Sequence, residues 1–218
     1  MKPTIHIPYL SSKLFSDEET FIEALELYGA HLFIDKINWK SFPYRPLVSV
    51  HLAYSEEGLM LHYFVRGLDL RTLSAGDGHY VHTDSCVEFF MQREPGESYI
   101  NFEFNAAGVC YASHHSSIKD SIPFSLGEYS SILRSATHQG KRIDIQGLHT
   151  WQILVQIPWS TMGYTSNKLP ECLWGNFYKC GDDTAHPHYL SWAPIDEPSP
   201  AFHRPQFFGK LVLNKKSE

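Results

Sequence analysis

Between Cys86 and Asn105 the chain alternates twice between apolar and polar positions. Val87, Phe89 and Met91 hold one parity, and Cys86, Glu88 and Phe90 hold the other. Ile100, Phe102 and Phe104 then alternate with Asn101, Glu103 and Asn105. A two-residue period sends successive side chains to opposite faces of a strand. Arg93-Glu94-Pro95-Gly96-Glu97 between the runs is turn chemistry, so the pattern predicts a hairpin. A second hairpin joins Leu47–Tyr54 to Leu59–Arg66 through Ser55-Glu56-Glu57-Gly58. Further strands are expected near Thr4–Tyr9, Gly108–His114, Trp151–Ile157, Leu173–Cys180, Tyr189–Trp192 and Phe208–Leu213. Ser16 and Glu19 make a capping box that opens the one credible helix, with Phe21, Ile22, Leu25 and Tyr28 at helical spacing up to Gly29. Gly67–Asp77 reads as a looser segment. Ser116–Gly140 reads as a polar connection with a strand around Tyr129–Leu133. Many short strands and a single helix predict an all-β fold. The expected form is a β-sandwich of two antiparallel sheets, jelly-roll or immunoglobulin-like, with one short N-terminal helix. No repeat or linker divides the chain, so residues 1–218 are expected to form a single domain.

The polar parity of the central hairpin carries the candidate chemistry. Asn101, Glu103 and Asn105 form a row, and Glu88 can share its sheet face. Asn is a poor strand residue, so the row fits a surface built to hydrogen-bond a ligand as well as it fits an ordinary solvent face. Aromatics make up 14% and charged residues 19% of the chain, which suits a sheet protein with platforms for flat ligands. Trp192 lies after a strand and before a Pro-rich loop, and a ring beside amides and carboxylates has both components of saccharide recognition. Trp39, Trp151, Trp159 and Trp174 read as packing residues.

Charge and motifs narrow the alternatives. A net charge of -6 without a basic run argues against nucleic acid and anionic membranes as partners. Cys86, Cys110, Cys172 and Cys180 lack metal-site spacing, and two disulfides stay open for an exported protein. The N-terminal MKPTIHIPYL has no apolar core of a signal peptide, which predicts a cytoplasmic chain. An exported, periplasmic or extracellular chain without its leader would read the same. His114-His115 and His186-Pro187-His188 are the densest histidines, and hydrogen-bonded loop histidines are their commoner fate. No nucleophile elbow or phosphate-binding Gly loop is present. Glu88 and Glu103 as paired carboxylates give the enzyme alternative, a glycoside hydrolase-like centre. A cofactor-holding sandwich is a third reading.

The run Asp84-Ser85-Cys86-Val87-Glu88-Phe89-Phe90, followed by Asn101-Phe102-Glu103-Phe104-Asn105-Ala106-Ala107-Gly108, resembles carbohydrate-binding module family 9. More closely it is similar to a single-domain branch of that family common in gut Bacteroidetes. The resemblance continues through Asn176–Asp182, Leu190-Ser191-Trp192 and Phe202–Gly209, and spans a core of about residues 39–213. It implies a non-catalytic sandwich that holds the end of a glycan in a slot between two tryptophans, in association with glycan-degrading enzymes. It implies no cofactor beyond the structural calcium described for the family, whose ligands map onto no acidic cluster here. Residue by residue, Trp192 matches the second sandwiching tryptophan and Glu88 the acidic residue of the family motif. Glu103 and Asn105 fall where the family has an arginine and an asparagine on the sugar. His82 stands at the first tryptophan. The expected ligand-binding set is therefore Trp192, His82 or Tyr80 opposite it, Glu88, Asn101, Glu103 and Asn105, with Lys179 as a positive donor.

Overall fold

The computed structural model describes residues 2–11, 17–165 and 168–216. The first half of the chain holds β1 (Thr4–Ile7), α1 (Glu18–Tyr28), β2 (Ala30–Phe33), β3 (Lys36–Ile37), β4 (Leu47–Tyr54), β5 (Gly58–Arg71), β6 (Cys86–Gln92) and β7 (Tyr99–Asn105). The second half holds β8 (Cys110–His115), β9 (Ser121–Pro123), α2 (Leu126–Ser131), β10 (Leu133–Ala136), β11 (Asp144–Pro158), β12 (Cys172–Cys180), β13 (Tyr189–Ser191) and β14 (Gly209–Leu213). The larger sheet runs β1-β14-β12-β6-β7-β8-β9, with β13 paired to β12 and β3 to β13. The smaller runs β10-β11-β5-β4-β2.

The alternation of the central hairpin explains how the sheets meet. Val87, Phe89, Met91, Phe102, Phe104 and Phe177 turn inward and pack with Val50, Leu52, Leu61, Tyr63, Ile153 and Val155 of the smaller sheet. Fully burying each such side chain contributes about 1.5–3 kcal/mol, which makes this layer the main source of stability. The other parity of the larger sheet is covered as well. Phe90, Tyr99 and Tyr178 form a second cluster with Trp39, Ile195 and Phe208, beneath the segment that follows Trp192. Every residue of β6 is buried as a result. The polar row of the hairpin therefore lies under a cover and is not a solvent face.

Local rules account for the departures from expectation. The sandwich is antiparallel except at one edge, where β1 pairs parallel with β14. The expected cap at Ser16 lies outside the described residues. In the described chain Asp17 caps α1, its carboxyl accepting the Thr20 N–H at 2.9 Å. The strand expected near Tyr129 is instead α2, opened by a capping box in which Ser125 and Glu128 satisfy each other's backbone N–H groups. β5 runs on through Gly67 to Arg71, because β11 matches its length across a bulge between Gln146 and His149. Gly147 takes φ 112° in that bulge, a conformation open to glycine. Among the described residues no helix is long and apolar enough to cross a membrane.

Candidate functional site

Register sets the floor of the site. Tyr178, Glu88, Glu103 and Tyr111 stand side by side across β12, β6, β7 and β8, all on the covered face. One step along, Cys180 faces Cys86 across β12 and β6. The segment Pro200–His203 roofs this floor, and His82, Asp182 and Tyr189 close the sides. Together with Glu88, Phe90, Glu103 and Cys180 they enclose a pocket of about 250 Å³. Phe202 lies parallel over Tyr178, ring centres 4.3 Å apart, and His203 leans on Phe90 at 4.8 Å.

Hydrogen bonds fix the floor from behind. Asn101 donates its amide to Glu103 Oε1 at 2.8 Å, while its carbonyl oxygen accepts from the Ser113 N–H, the Ser113 hydroxyl and the His115 ring. His115 stacks on Tyr99 at 4.5 Å, and Tyr99 meets the His203 Nδ1 at 3.0 Å. The buried polar residues thus form one chain from the roof to Glu103. Buried polar groups need such partners to offset desolvation. The Cys180 thiol donates to Glu88 Oε1 at 3.0 Å.

Burial dominates the electrostatics. It pushes Glu103 up to about 7, with the negative Asp182 adding to the rise and the Asn101 hydrogen bond opposing it. Burial raises Glu88 further, and the neighbouring Cys180 and Glu103 reinforce the shift. Asp182 also moves up through burial, opposed by the charge of His82. His203 is driven down to about 4 by burial and by His115. Cys86, Glu88 and Cys180 bring three metal-ligand atoms within 4.8 Å of one another, as do Glu26 of α1 and His51 and His62 of the smaller sheet. Burial pushes Cys86 up to about 12 and raises Cys180, so the first trio is a pair of protonated thiols beside a carboxyl.

A raised carboxyl pKa has a testable sign. Glu103 binds its proton more tightly folded than unfolded, so the stability it contributes is complete below about 4.3, the unfolded value, and is lost as pH rises through about 7. The buried histidines, His203 among them, move stability the opposite way as pH falls. Comparing wild type with Glu103→Gln isolates the carboxyl. Urea unfolding from pH 4.5 to 8 is expected to show wild type losing on the order of 2–3 kcal/mol relative to the variant. A difference that stays flat with pH would refute the assignment.

The expected binding residues divide into two groups. Glu88, Glu103 and His82 line the pocket. Tyr80 adjoins it, 65% exposed, with its ring 5.3 Å from His82 and 5.1 Å from Tyr111. The other four point elsewhere. Asn101 is spent on positioning Glu103. Asn105 accepts from the Ala107 and Val109 N–H groups and donates to Asp84, anchoring the β7–β8 turn. Lys179 takes the opposite parity on β12, where its amine donates to the Cys180 carbonyl and meets His188 Nε2 at 2.8 Å. Burial lowers the Lys179 pKa to about 8.

Trp192 packs edge-on to Phe177 from the inner side and lines a separate groove with His31, Phe33 and Lys36. A Cβ on Gly209 would lie 2.5 Å from its ring, so glycine there makes room for the indole. The covering residues Phe202, His203, Tyr189 and Asp182 were missed as site residues. The Phe202-His203-Arg204-Pro205 and Asn176–Asp182 motifs already marked three of those places, and Tyr189 opened an expected strand. What the sequence lacked was the long-range packing that folds them over β6 and β7.

Comparisons place this geometry among known proteins. The model of carbohydrate-binding family 9 matches residues 25–213. A crystal structure of a Bacteroides uniformis protein described as carbohydrate-binding is 31% identical over 97% of this chain and 99% of its own, with a TM-score of 0.90. A family 9 module of Caldicellulosiruptor kristjanssonii solved with glucose aligns over 99% of this chain and 98% of its own at 11% identity, TM-score 0.63. The same organism's module solved with cellotriose aligns over 99% and 96% at 10% identity, TM-score 0.60. At those identities the last two show the shared fold. No curated protein matches the chain.

Proposed function

The chain belongs to carbohydrate-binding family 9, and from that premise we propose that it binds a carbohydrate, without turning it over, in the pocket beneath Pro200–His203. The observation that carries this reading is the pairing of aromatic faces with buried carboxyls around one small cavity. Phe90, Tyr189 and Phe202 offer apolar walls for the C–H face of a sugar ring, while Glu88, Glu103 and Asp182 offer oxygens for its hydroxyls. At about 250 Å³ the pocket is smaller than drug-sized sites of about 300–1,000 Å³, which suits one ring at a glycan end. The carboxyls favour binding over hydrolysis. A glycosidase keeps one carboxyl as acid and the other ionised, with their pKa values pushed apart. Here burial raises both Glu88 and Glu103.

Calorimetric titration with mono- and disaccharides, each in reducing and end-reduced form, tests the proposal. Saturable heat with at least one sugar, without product formation, is the expected result. Loss of that heat on end reduction would assign the pocket to reducing ends. Trp192→Ala is expected to keep its affinity within about twofold, since the indole packs outside the pocket. No heat with any sugar would defeat the reading.

A further inference from the structure

We propose that this pocket selects a sugar carrying a free amine, held in its ammonium form. The inference rests on the carbohydrate reading above and narrows its ligand class. Three carboxyl side chains, Glu88, Glu103 and Asp182, meet at the cavity, and among the described residues no lysine or arginine lines it. The nearby cations are engaged elsewhere. The Lys179 amine bonds the Cys180 carbonyl on the other face of β12, and Arg204 pairs with Glu197 at 2.8 Å. Glu103 is 4% exposed, and only one of its oxygens is used. Its Oε2, and Oδ1 of Asp182, are buried with no hydrogen-bond partner among the described residues.

An unpaired buried carboxylate is costly, and a neutral hydroxyl returns only part of that cost. An ammonium group returns more, because it supplies the missing charge together with three N–H donors. The walls fit the same ligand. Phe202 and Tyr189, ring centres 6.2 Å apart and inclined at 69°, both line the cavity, and aromatic rings beside a desolvated cation attract it. Burial raises both Glu88 and Glu103, and a cation beside them would favour their charged forms. A hexosamine with a free amine satisfies both the acidic floor and the aromatic walls. Its N-acetylated form offers the same ring without the charge.

Titrations of the full chain at neutral pH with glucosamine, galactosamine and mannosamine, beside glucose and N-acetylglucosamine, decide the matter. At least one free hexosamine is expected to bind about tenfold or more tighter than glucose, with N-acetylglucosamine no tighter than glucose. Glu103→Gln, which keeps the shape and the Asn101 bond but removes the charge, is expected to bring the ratio of hexosamine to glucose affinity down to about one, whatever it does to glucose binding itself. Should Glu103→Gln fail to fold, Glu88→Gln takes its place, and the wild-type ratio decides by itself. Equal or tighter binding of glucose overturns the amine selectivity and leaves carbohydrate binding standing. Silence with all five sugars overturns the amine selectivity, and silence across the mono- and disaccharide panel as well overturns the carbohydrate reading.

Discussion

Asp84→Ala is expected to destabilise the protein by about 3–5 kcal/mol, the range seen when one partner of a buried charged network is removed. Asp84 is fully buried. One of its oxygens accepts the Leu73 N–H at 2.9 Å, and the other accepts the Ser74 N–H at 3.0 Å and the Asn105 amide at 2.9 Å. Asn105 in turn holds the turn between β7 and β8, where Gly108 takes φ +79°. The carboxyl therefore ties three stretches together: the end of β5, the start of β6 and the β7–β8 turn. Alanine leaves three donors without their acceptor, the part-buried Leu73 and Ser74 N–H groups and the fully buried Asn105 amide, and each carries a desolvation cost that grows with its burial. For a chain of 218 residues about 1 kcal/mol corresponds to about 2–4 °C in Tm, so a fall on the order of 10 °C is expected. Asp84→Asn, which keeps one acceptor, should fall in between. A Tm within about 2 °C of wild type for Asp84→Ala would show that the network does not hold these loops.

Phe202→Ala is expected to weaken saccharide binding by about ten- to a hundredfold. The ring lies flat over Tyr178 and forms an apolar wall of the pocket, so its loss opens the roof to water. A buried aromatic face is worth about 1.5–3 kcal/mol, and about 1.4 kcal/mol is tenfold in affinity. Phe202 is only half-buried, so the cost to folding should be the smaller of the two effects. Calorimetry on the variant, with thermal unfolding in parallel, separates them. Unchanged affinity in a folded variant would move the binding site away from this roof.

Much of the scaffold could be read from alternation, and much of the site could not. Val87, Phe89 and Met91 face the interior as their parity requires, and Phe102 and Phe104 do the same. The Ser125–Glu128 capping box was present in the sequence, but Gly127 and the short polar α2 gave no helical period to draw attention to it. At the site, parity put Glu88 and Glu103 on one face correctly. It could not reveal that the face was covered, since Ile195 and Phe202 arrive about a hundred residues later in the chain. Asn101 and Asn105 were conspicuous for a sound reason, as asparagine is rare in strands. Their amides serve the protein's own backbone and side chains. Trp192 lies against Gly209 and lines a groove apart from the pocket, a placement that its motif could not show.

The larger sheet is packed on both faces, and this divides its strands by odd and even positions. Along β6 and β7 one set of residues is committed to the sandwich interior, and the other lies on the covered face, where Glu88, Phe90 and Glu103 line the chamber. If the chamber is the binding site proposed above, a substitution at Glu88, Phe90 or Glu103 changes what it recognises while Val87, Phe89 and Phe104 keep the two sheets together. A lineage built on this frame can exchange one ligand for another by editing alternate letters of two strands.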